Sequence, residues 1–563
     1  MDSTQGPKRG LDLPGVGAAA RSEGRTRNTG DPPRKPSQAK PQGIRSETES
    51  FGSREGVRGA RSTDEGGQNK PPEGRGPASV TVGYGGKREG MAAVPPKDPA
   101  DKVRELQRSL GVCAKRSRAR RFHALYAHLY RSDVLWEAWK RVRRNRGAAG
   151  VDKQTLAAIE TEGVRAFLGK LQADLRAGRY RPSPVRRRYI EKEGSAKRRP
   201  LGIPTCRDRV AQMCAKLVIE PIFEADFLPC SYGFRPKRSA TQALEAVREA
   251  GNQGHNFVVD ADIQSYYDTI GQEKLLTMVA ERVSDRRMLK LLKKWLQAGV
   301  MEDGTIRETL AGTPQGGVIS PLLANTYLHR LDRYWTQECK HLGVLVSYAD
   351  DMVAMCRTQA QAREALGRIG RVMGDLGLRL HPEKTRIVYV GRGKGSFTFL
   401  GCTVRKRRSI QRNPRWHFMQ RWPSSRAMTR IRGRIHELTK VRGNGAKNIR
   451  EVVKKLNPVL RGWCGYFRSG NADREFNRVD HQVVGRLRNW LRRRAGQRSA
   501  VRNRDWPFAR FHRLGLHQLR GTVAYPTQAA PVRPSVSRVR ENRMHGLTRG
   551  FQSRNLPIAG NGG

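Results

Sequence analysis

The chain has few acidic residues for its length, and it lacks the apolar runs that would place it in a membrane. Only 51 of its 563 residues are Asp or Glu, against 109 Lys and Arg, so the formal net charge is +58. Such an excess indicates a polyanionic partner, with nucleic acid as the first candidate and an anionic membrane surface as the alternative. There is no run of about 18 apolar residues and no N-terminal hydrophobic signal core, so we expect neither a membrane span nor secretion.

Cysteines are also few. The eight stand at positions 113, 206, 214, 230, 339, 356, 402 and 464, and no two of them form a CxxC pair. This scatter favours neither a zinc site nor a disulfide scaffold. We therefore expect a reduced, cytoplasmic chain, located in the bacterial cytosol or nucleoid.

The first 95 residues are rich in Gly, Pro, Ser, Arg and Lys and have few large apolar side chains. A segment of this composition cannot bury enough surface to offset its chain entropy, so we predict a disordered basic extension. A second interpretation is that Met91 is the functional start. Globular sequence begins near Asp98.

Three patterns follow along the chain. Ser132 and Asp133 can cap a helix that carries Leu135, Trp139 and Val142 on one face. From about residue 186 to 405, short β-branched runs alternate with helical patterns, which predicts an α+β or α/β domain. After about residue 420 the chain becomes helical and strongly basic, and after about 525 it returns to Pro, Arg, Ser and Gly.

Two adjacent acids, Asp350 and Asp351, stand between the apolar runs 344–346 (VLV) and 353–355 (VAM). This pattern predicts a β-hairpin with carboxylates at its tip. Negative charge concentrated at one spot is costly unless a cation neutralises it. A plain Asp-rich turn is the alternative, and the short string alone does not decide between them.

A second pair of acids follows the strand-like run 257–259 (FVV). Strand alternation places Asp260 and Asp262 on one face, with Ala261 and Ile263 opposite. Taken alone, an edge strand with a polar face would explain this pair. Taken with the Asp350–Asp351 string, it favours a metal site for nucleotidyl transfer. That reaction needs two Mg²⁺ ions about 3.5–4 Å apart, and Mg²⁺ prefers oxygen ligands.

In order along the chain, a series of strings resembles the reverse transcriptases encoded by group II introns. The strings are 145–152 (NRGAAGVD), 199–205 (RPLGIPT) with Asp208 and Arg209, 231–236 (SYGFRP), the strand of Asp262, 312–322 (GTPQGGVISPL), 348–351 (YADD), 376–378 (LGL) with 382–385 (PEKT), and 399–401 (FLG). The resemblance covers roughly residues 95 to 520. It implies a right-hand polymerase with fingers and palm, followed by a helical thumb.

The resemblance implies roles for particular residues. Asp262, Asp350 and Asp351 correspond to the catalytic carboxylates that hold two Mg²⁺ ions, and the backbone carbonyl of Ile263 is a further candidate ligand.

A second group of residues corresponds to positions that bind the incoming nucleotide. Lys192 and Arg199 match fingers residues that hold the triphosphate, where cations would offset developing charge. Tyr267 matches the aromatic residue that excludes a ribose 2′ hydroxyl, with a buried core ring as the alternative. Gln315 matches a residue beside the incoming base pair, and Lys384 in the PEKT string is assigned to the nucleotide as well.

Beyond the palm strings, residues 456–467 (LNPVLRGWCGYF) resemble the thumb of this family, also called the maturase or X domain, which grips intron RNA. Arg461, Trp463 and Arg468 are the candidate RNA contacts, since rings between basic residues suit stacking and phosphate binding. The alternative is that Trp463, Tyr466 and Phe467 pack in the core while the arginines contact RNA.

The chain also departs from many family members, which end in an HNH endonuclease with paired cysteines. No such cysteine set is present, so we do not expect DNA cleavage by this chain. Residues 506–516 (WPFARFHRLGL) resemble a short tail of endonuclease-lacking relatives, which implies a DNA contact.

The predicted fold class is α+β, with an antiparallel palm sheet and helices. The predicted domains are a disordered extension (1–95), fingers and palm (96–410), a thumb or maturase domain (411–500) and a basic tail (501–563). Expected partners are intron RNA template, DNA primer or target, and deoxynucleoside triphosphates, with no membrane. Both a monomer and a dimer are compatible with the sequence. Alternatives to an active intron polymerase are a catalytically silent splicing maturase and a domesticated reverse transcriptase of DNA repair or phage defence.

Overall fold

A computed structural model describes residues 98–191, 198–302, 305–307, 311–408, 417–441, 445–494 and 503–524 of the chain. The predicted N-terminal extension therefore lies outside the described residues. Helices and strands are mixed throughout the first three quarters of the described chain, and helices dominate the rest.

Fifteen α-helices are described: α1 Pro99–Arg116, α2 Ser132–Arg144, α3 Leu156–Glu162, α4 Val164–Arg176, α5 Cys206–Glu224, α6 Ala240–Asn252, α7 Tyr266–Thr269, α8 Gln272–Ala280, α9 Arg286–Leu296, α10 Ser320–Tyr334, α11 Gln359–Asp375, α12 Ser425–Leu438, α13 Ile449–Phe467, α14 Asp473–Arg494 and α15 Phe508–Arg513. Eleven strands are described: β1 Val185–Glu191, β2 Arg198–Ile203, β3 Phe257–Asp262, β4 Val300–Glu302, β5 Thr305–Arg307, β6 Val344–Tyr348, β7 Asp351–Cys356, β8 Arg386–Tyr389, β9 Phe397–Phe399, β10 Cys402–Arg408 and β11 His417–Pro423.

The strands form three sheets. The order β6-β7-β3-β8 defines a fully antiparallel sheet that we call the aspartate sheet. The order β2-β1-β4-β5 defines a second sheet, rich in arginine along β1 and β2, that we call the arginine sheet. The third sheet has the order β11-β10-β9.

The aspartate sheet separates two hydrophobic cores because successive side chains on a strand point to opposite faces. On β3, Val259 and Ala261 belong to the first core, together with the helices of the N-terminal half, while Val258 belongs to the second. On β7, Ala354 faces the first core and Val353 faces the second. The second core also contains buried residues of α6, α12, α13 and α14.

The three helices α12, α13 and α14 pack on one another, and the segment after them packs into the same core. Phe511 and Leu519 are fully buried there. The carboxylate of Asp480 accepts hydrogen bonds from the backbone N–H groups of Leu519 and Arg520 at 2.9–3.1 Å. Residues 503–524 are thus held against α13 and α14 by the burial of their apolar side chains and by hydrogen bonds to the buried Asp480 carboxylate.

The helices and strands confirm two sequence predictions about local structure and contradict one. Mixed helix and sheet is confirmed, as is the helix with Leu135, Trp139 and Val142 buried on one face. Its predicted cap is wrong: the helix begins at Ser132, so Arg131 is the capping position. The Asp133 carboxylate accepts hydrogen bonds from the Arg131 guanidinium at 2.7 and 3.0 Å.

The predicted domain division stays a prediction. Its boundary between residues 410 and 411 falls between β10 and β11, which pair over seven residue positions from Cys402↔Pro423 to Arg408↔His417. The first helix of the C-terminal region begins after this hairpin, at Ser425. None of the helices in the described part of the chain is long and apolar enough to cross a bilayer.

A buried arginine organises the loop between α5 and α6. The Arg235 guanidinium donates to the Glu224 carboxylate at 2.7–3.2 Å and to the carbonyl oxygens of Leu228 and Ser231 at 2.6 and 2.7 Å. It also lies over the Phe227 ring, 5.2 Å from the centroid. Since the planar guanidinium carries five N–H donors in a fixed fork, it can tie these groups together at one point.

We expect Arg235→Met to lower the free energy of unfolding by about 3–5 kcal/mol, because it leaves Glu224 and two carbonyls without their donor. Denaturant unfolding followed by circular dichroism measures the loss. The matched control is Arg363→Met on the exposed face of α11, which should change stability by less than about 0.5 kcal/mol. Equal effects of the two substitutions would contradict the anchoring role.

Candidate active site

Strand register brings the predicted carboxylates together. In the β3–β7 pairing Asp262 lies directly opposite Asp351, and in the β6–β7 pairing Tyr348 lies opposite Asp351. Residues opposite each other in an antiparallel pair have Cα atoms about 4.5–5.5 Å apart. Asp350 occupies the two-residue turn between β6 and β7. The predicted hairpin with acids at its tip is therefore confirmed, as is the placement of Asp260 and Asp262 on one strand.

The turn of this hairpin is held in an unfavourable backbone conformation. Ala349 has a φ of 56°, in the left-handed region that a β-carbon disfavours. The loop of Gly233 packs against it: the amide of Tyr232 donates to the carbonyl of Ser347 at 2.9 Å. A β-carbon on Gly233 would lie 2.4 Å from the Ala349 nitrogen, so only glycine permits this close approach. Neighbouring structure thus maintains the strained turn.

Charge crowding perturbs the carboxylates. Displacement of water by the surrounding protein, together with the negative charges of Asp350, Asp262 and Asp260, raises the pKa of Asp351 to about 7. Burial also raises the pKa of Asp350, with a further contribution from Asp262, while Arg199 and Lys384 act in the opposite direction. Like charges this close disfavour simultaneous ionisation unless a cation joins them.

The Lys384 side chain already places one positive charge beside these carboxylates. The Lys384 ammonium forms an ion pair with the Asp262 carboxylate. The adjacent turn is tied to the same residue, since the amide of His381 donates to the backbone carbonyl of Asp262 at 2.8 Å. Farther along β3, Asp260 lies 3.5 Å from the Arg386 guanidinium.

A divalent cation fits the chemistry of this site. Asp262, Asp350 and Asp351 offer hard carboxylate oxygens from neighbouring positions, and a cation would relieve the crowding that raises the pKa of Asp351. Over the described residues, however, no three His, Cys, Asp or Glu side chains are arranged as a ready metal site. Of the three carboxylates, that of Asp262 is paired with the Lys384 ammonium.

Three of the residues predicted to bind the nucleotide, Arg199, Tyr267 and Lys384, interact electrostatically with Asp350. Arg199 on β2 is close enough to lower the pKa of Asp350. Burial and then the charge of Asp350 raise the pKa of Tyr267 to about 12. The Gln315 backbone carbonyl accepts from the Gly202 amide at 2.7 Å, and its buried Oε1 atom has no hydrogen-bond partner within the described ranges. Lys192 lies outside the described residues.

Comparisons with known proteins agree with this geometry. The family described as "Reverse transcriptase (RNA-dependent DNA polymerase)" matches residues 190–404, and "Group II intron, maturase-specific domain" matches residues 428–506. Protein YkfC of Escherichia coli (strain K12) is 34% identical over 345 residues, which cover 54% of this chain and 89% of that protein. The chain belongs to the group II intron reverse transcriptase/maturase family. All four acids of the aspartate sheet fall inside the reverse transcriptase match.

Two further similarities are more limited. The group II intron-encoded protein LtrA of Lactococcus lactis subsp. cremoris is 39% identical over 219 residues, which cover 38% of this reverse transcriptase and 36% of LtrA. The "Partial Cas6-RT-Cas1–Cas2 complex" is a solved structure with a TM-score of 0.29 and 22% identity, covering 44% of this chain and 42% of that one. The latter score is too low for a comparison of folds.

The predicted RNA contacts lie on and just beyond α13. Arg461 and Arg468 are exposed. The Trp463 ring is half-buried and packs against Phe467 at 4.9 Å and Phe476 at 5.5 Å between ring centroids. This placement agrees with the core-packing alternative for Trp463. The RNA-binding roles of all three residues stay predictions.

Sequence reasoning named no role for several residues that shape the site of this reverse transcriptase. Gly233 and Arg235 lie in the string 231–236 (SYGFRP), but the string does not indicate that Gly233 approaches Ala349 or that Arg235 anchors the loop. The ion pair between Lys384 and Asp262 joins residues 122 positions apart. No spacing rule would have found it.

We expect Gly233→Ala to lower the rate of DNA synthesis by about a hundredfold, because a displacement of about 1 Å at reacting groups can have that effect. Primer extension on an RNA template measures the rate. The matched control is Gly367→Ala on α11, where an added β-carbon meets nothing within 4 Å. A wild-type rate for Gly233→Ala would contradict the requirement for close approach at the hairpin.

The raised pKa of Asp351 predicts a pH-dependent effect on stability. An aspartate whose pKa is about 7 when folded and about 3.9 when unfolded destabilises the protein increasingly as the pH rises through that interval. Asp351→Asn should therefore raise Tm at pH 8 and leave it nearly unchanged at pH 4. Thermal unfolding of both proteins at the two pH values provides the comparison, with Asp375→Asn as the exposed control. A Tm difference that does not grow with pH would refute the charge-crowding explanation.

Proposed function

We propose that this reverse transcriptase extends a DNA 3′ end on an RNA template by nucleotidyl transfer assisted by two Mg²⁺ ions. The observation that carries the proposal is the register of β3 and β7, which sets Asp262 opposite Asp351 with Asp350 at the adjoining turn. When bound, the ions would activate the attacking hydroxyl oxygen and neutralise charge on the leaving pyrophosphate.

The side chains of this chain would hold and orient the reactants. Asp262, Asp350 and Asp351 would supply the ligands of both ions, with the Ile263 carbonyl as a further candidate. Arg199 and Lys192 would contact the triphosphate, and Gln315 the incoming base pair. Lys384 would leave Asp262 when a cation arrives and pair with a phosphate oxygen, since its flexible four-carbon stem allows both positions.

Tyr267 would act by shape. Its ring is partly buried, lies 5.4 Å from the Tyr266 ring, and is close enough to Asp350 to respond to that charge. The Tyr266 hydroxyl donates to the Ala324 carbonyl at 2.6 Å, which restrains the supporting ring. A restrained ring at this position would collide with a 2′ hydroxyl and so favour deoxynucleotides.

In this proposal the aspartate sheet is the palm of a right-hand polymerase. The arginine sheet and the helices before it form the fingers, and α12, α13 and α14 form the thumb. The thumb would also bind intron RNA through Arg461 and Arg468, with Trp463 supporting them, and so promote splicing and mobility of the intron.

Two alternative functions differ from this proposal in the parts of the protein that they need. A catalytically silent maturase would need only the RNA-binding surface, and a domesticated enzyme of DNA repair or phage defence would need the polymerase without intron binding. The presence of Asp262 and Asp351 on paired strands, with Asp350 in the adjoining turn, favours an active polymerase over the silent maturase.

We expect Asp350→Ala to abolish primer extension with Mg²⁺ and deoxynucleotides on an RNA template, because it removes a ligand of the charge-stabilising cations. Loss of a single group that stabilises transition-state charge typically lowers kcat by about 10²–10³-fold, and we expect at least that. Binding of intron RNA, measured by filter retention, should stay within about twofold of wild type.

The matched control is Asp375→Ala at the exposed end of α11, which should extend primers normally. Persistent extension by Asp350→Ala would mean that the metal assignment is wrong. Loss of RNA binding in the same variant would mean that the two functions are not separable in this way.

A further inference from the structure

Two ion pairs follow one another beside the carboxylates of the candidate active site. Asp262 pairs with Lys384, and Asp260, two residues earlier on β3, lies 3.5 Å from the Arg386 guanidinium. Since side chains two apart on a strand share a face, both acids point to the same side of the sheet, about 6.6 Å apart along the strand. The two pairs therefore form a short row that starts at the Asp262 end of β3.

This row leads to an edge of the aspartate sheet. In the order β6-β7-β3-β8 the described edge strand beside β3 is β8, and its first residue, Arg386, lies directly opposite Asp260. The Arg386 side chain is 56% exposed. One step farther along the same face, Val258 lies opposite Val388, and both belong to or pack against the second core. Arg386 thus lies between the carboxylates and the second core, with much of its side chain in solvent.

Asp260 adds negative charge at a place where carboxylates already crowd together, although it is not among the proposed metal ligands. Arg386 offsets that charge, but the contact joins only Nε to one carboxylate oxygen, at 3.5 Å, and the arginine is more than half exposed. An ion pair with this exposure adds little to stability. Stability alone therefore gives a weak reason for either charge.

The chemistry of the row fits a small anion that carries several phosphate oxygens. A guanidinium presents paired N–H donors that match two such oxygens. In nucleotidyl transfer the leaving group is pyrophosphate, which separates from the reacting phosphate at the metal-binding carboxylates. An anion released beside Asp262 meets Lys384 first and Arg386 next, at the sheet edge. A nucleic acid strand would instead need a groove of cations that follows its backbone.

We propose that Arg386 is a product-binding residue that receives pyrophosphate from Lys384 and guides it to the edge of the aspartate sheet. Asp260 competes with the product for the same guanidinium, so Arg386 returns to Asp260 when pyrophosphate leaves for solvent. This inference rests on the proposed polymerase function, to which it adds a path for the leaving group and a role for the fourth aspartate.

The test compares the affinities of the full-length protein for pyrophosphate and for deoxynucleotide. Isothermal titration calorimetry with pyrophosphate and Mg²⁺, without nucleic acid, measures binding in the absence of turnover, and product inhibition of primer extension gives a second value. Arg386→Gln should weaken pyrophosphate about threefold to tenfold in both measurements, as the loss of one partly exposed contact between charged groups predicts. The deoxynucleotide Kd from single-turnover extension should stay near the wild-type value.

Asp260→Asn should act in the opposite direction, with tighter pyrophosphate binding and stronger product inhibition, because it frees the guanidinium. A purely structural ion pair would be broken equally by either substitution, so the two variants would then change in the same direction. The double variant Asp260→Asn/Arg386→Gln should bind pyrophosphate as weakly as Arg386→Gln, since Asp260 acts through Arg386. The matched control is Arg363→Gln on the exposed face of α11, which removes the same charge and should leave pyrophosphate binding unchanged.

Three results would overturn the inference. Wild-type pyrophosphate affinity in Arg386→Gln would mean that the guanidinium does not contact the product. An equal loss of deoxynucleotide affinity would assign it to the incoming triphosphate. Tighter binding by Asp260→Asn that persists in the double variant would mean that Asp260 acts by its charge alone.

Arg386→Lys keeps the charge but not the paired donors, so its pyrophosphate affinity should fall between those of wild type and Arg386→Gln. It also provides the comparison if Arg386→Gln does not fold, and wild-type affinity in Arg386→Lys would then reject the requirement for paired donors. Calorimetry needs no primer extension, whereas the Asp350→Ala test depends on it. An active polymerase whose Arg386 variants bind pyrophosphate like wild type would therefore reject this inference and leave the proposed function intact.

Discussion

The pairing of β3 with β7 is the constraint on which the rest of this structure depends. Since strand side chains alternate, a slip of one residue in that register would move Asp262 away from Asp351 and exchange the faces of both strands. The register is set by burial on both faces: Val259 and Ala354 must reach the first core while Val258 and Val353 reach the second. Two hydrophobic cores thereby fix the position of carboxylates that contribute nothing to either core.

This arrangement concentrates negative charge where the chain is otherwise overwhelmingly positive. Four aspartates share the end of the aspartate sheet, and burial together with mutual repulsion raises the pKa of Asp351 to about 7. Lys384 offsets part of that charge by pairing with Asp262.

The turn of Ala349 and Asp350 is supported by a series of contacts that extends away from it. Gly233 allows the loop to approach Ala349, Arg235 ties the same loop to Glu224, and Asn325 on α10 holds the Gly233 carbonyl. The strained φ values of Ala349, Phe234 and Leu400 lie around this point. Strain of this kind persists only where surrounding contacts over-determine it, and it places an aromatic ring and two carboxylates at one edge of the protein.

Local patterns in the sequence were sufficient to predict the mixed fold class, the hairpin at Asp350–Asp351, the shared face of Asp260 and Asp262, and the family. Each depends on nearest-neighbour alternation or on an ordered set of short strings. Only the tertiary structure decided four other features. These are the pairing of Lys384 with Asp262, the anchoring of its loop by Arg235, the packing of Trp463 and residues 503–524 into the second core, and the placement of Phe234 beside Tyr348. They depend on which distant segments meet, and side-chain spacing along one strand or helix carries no information about that.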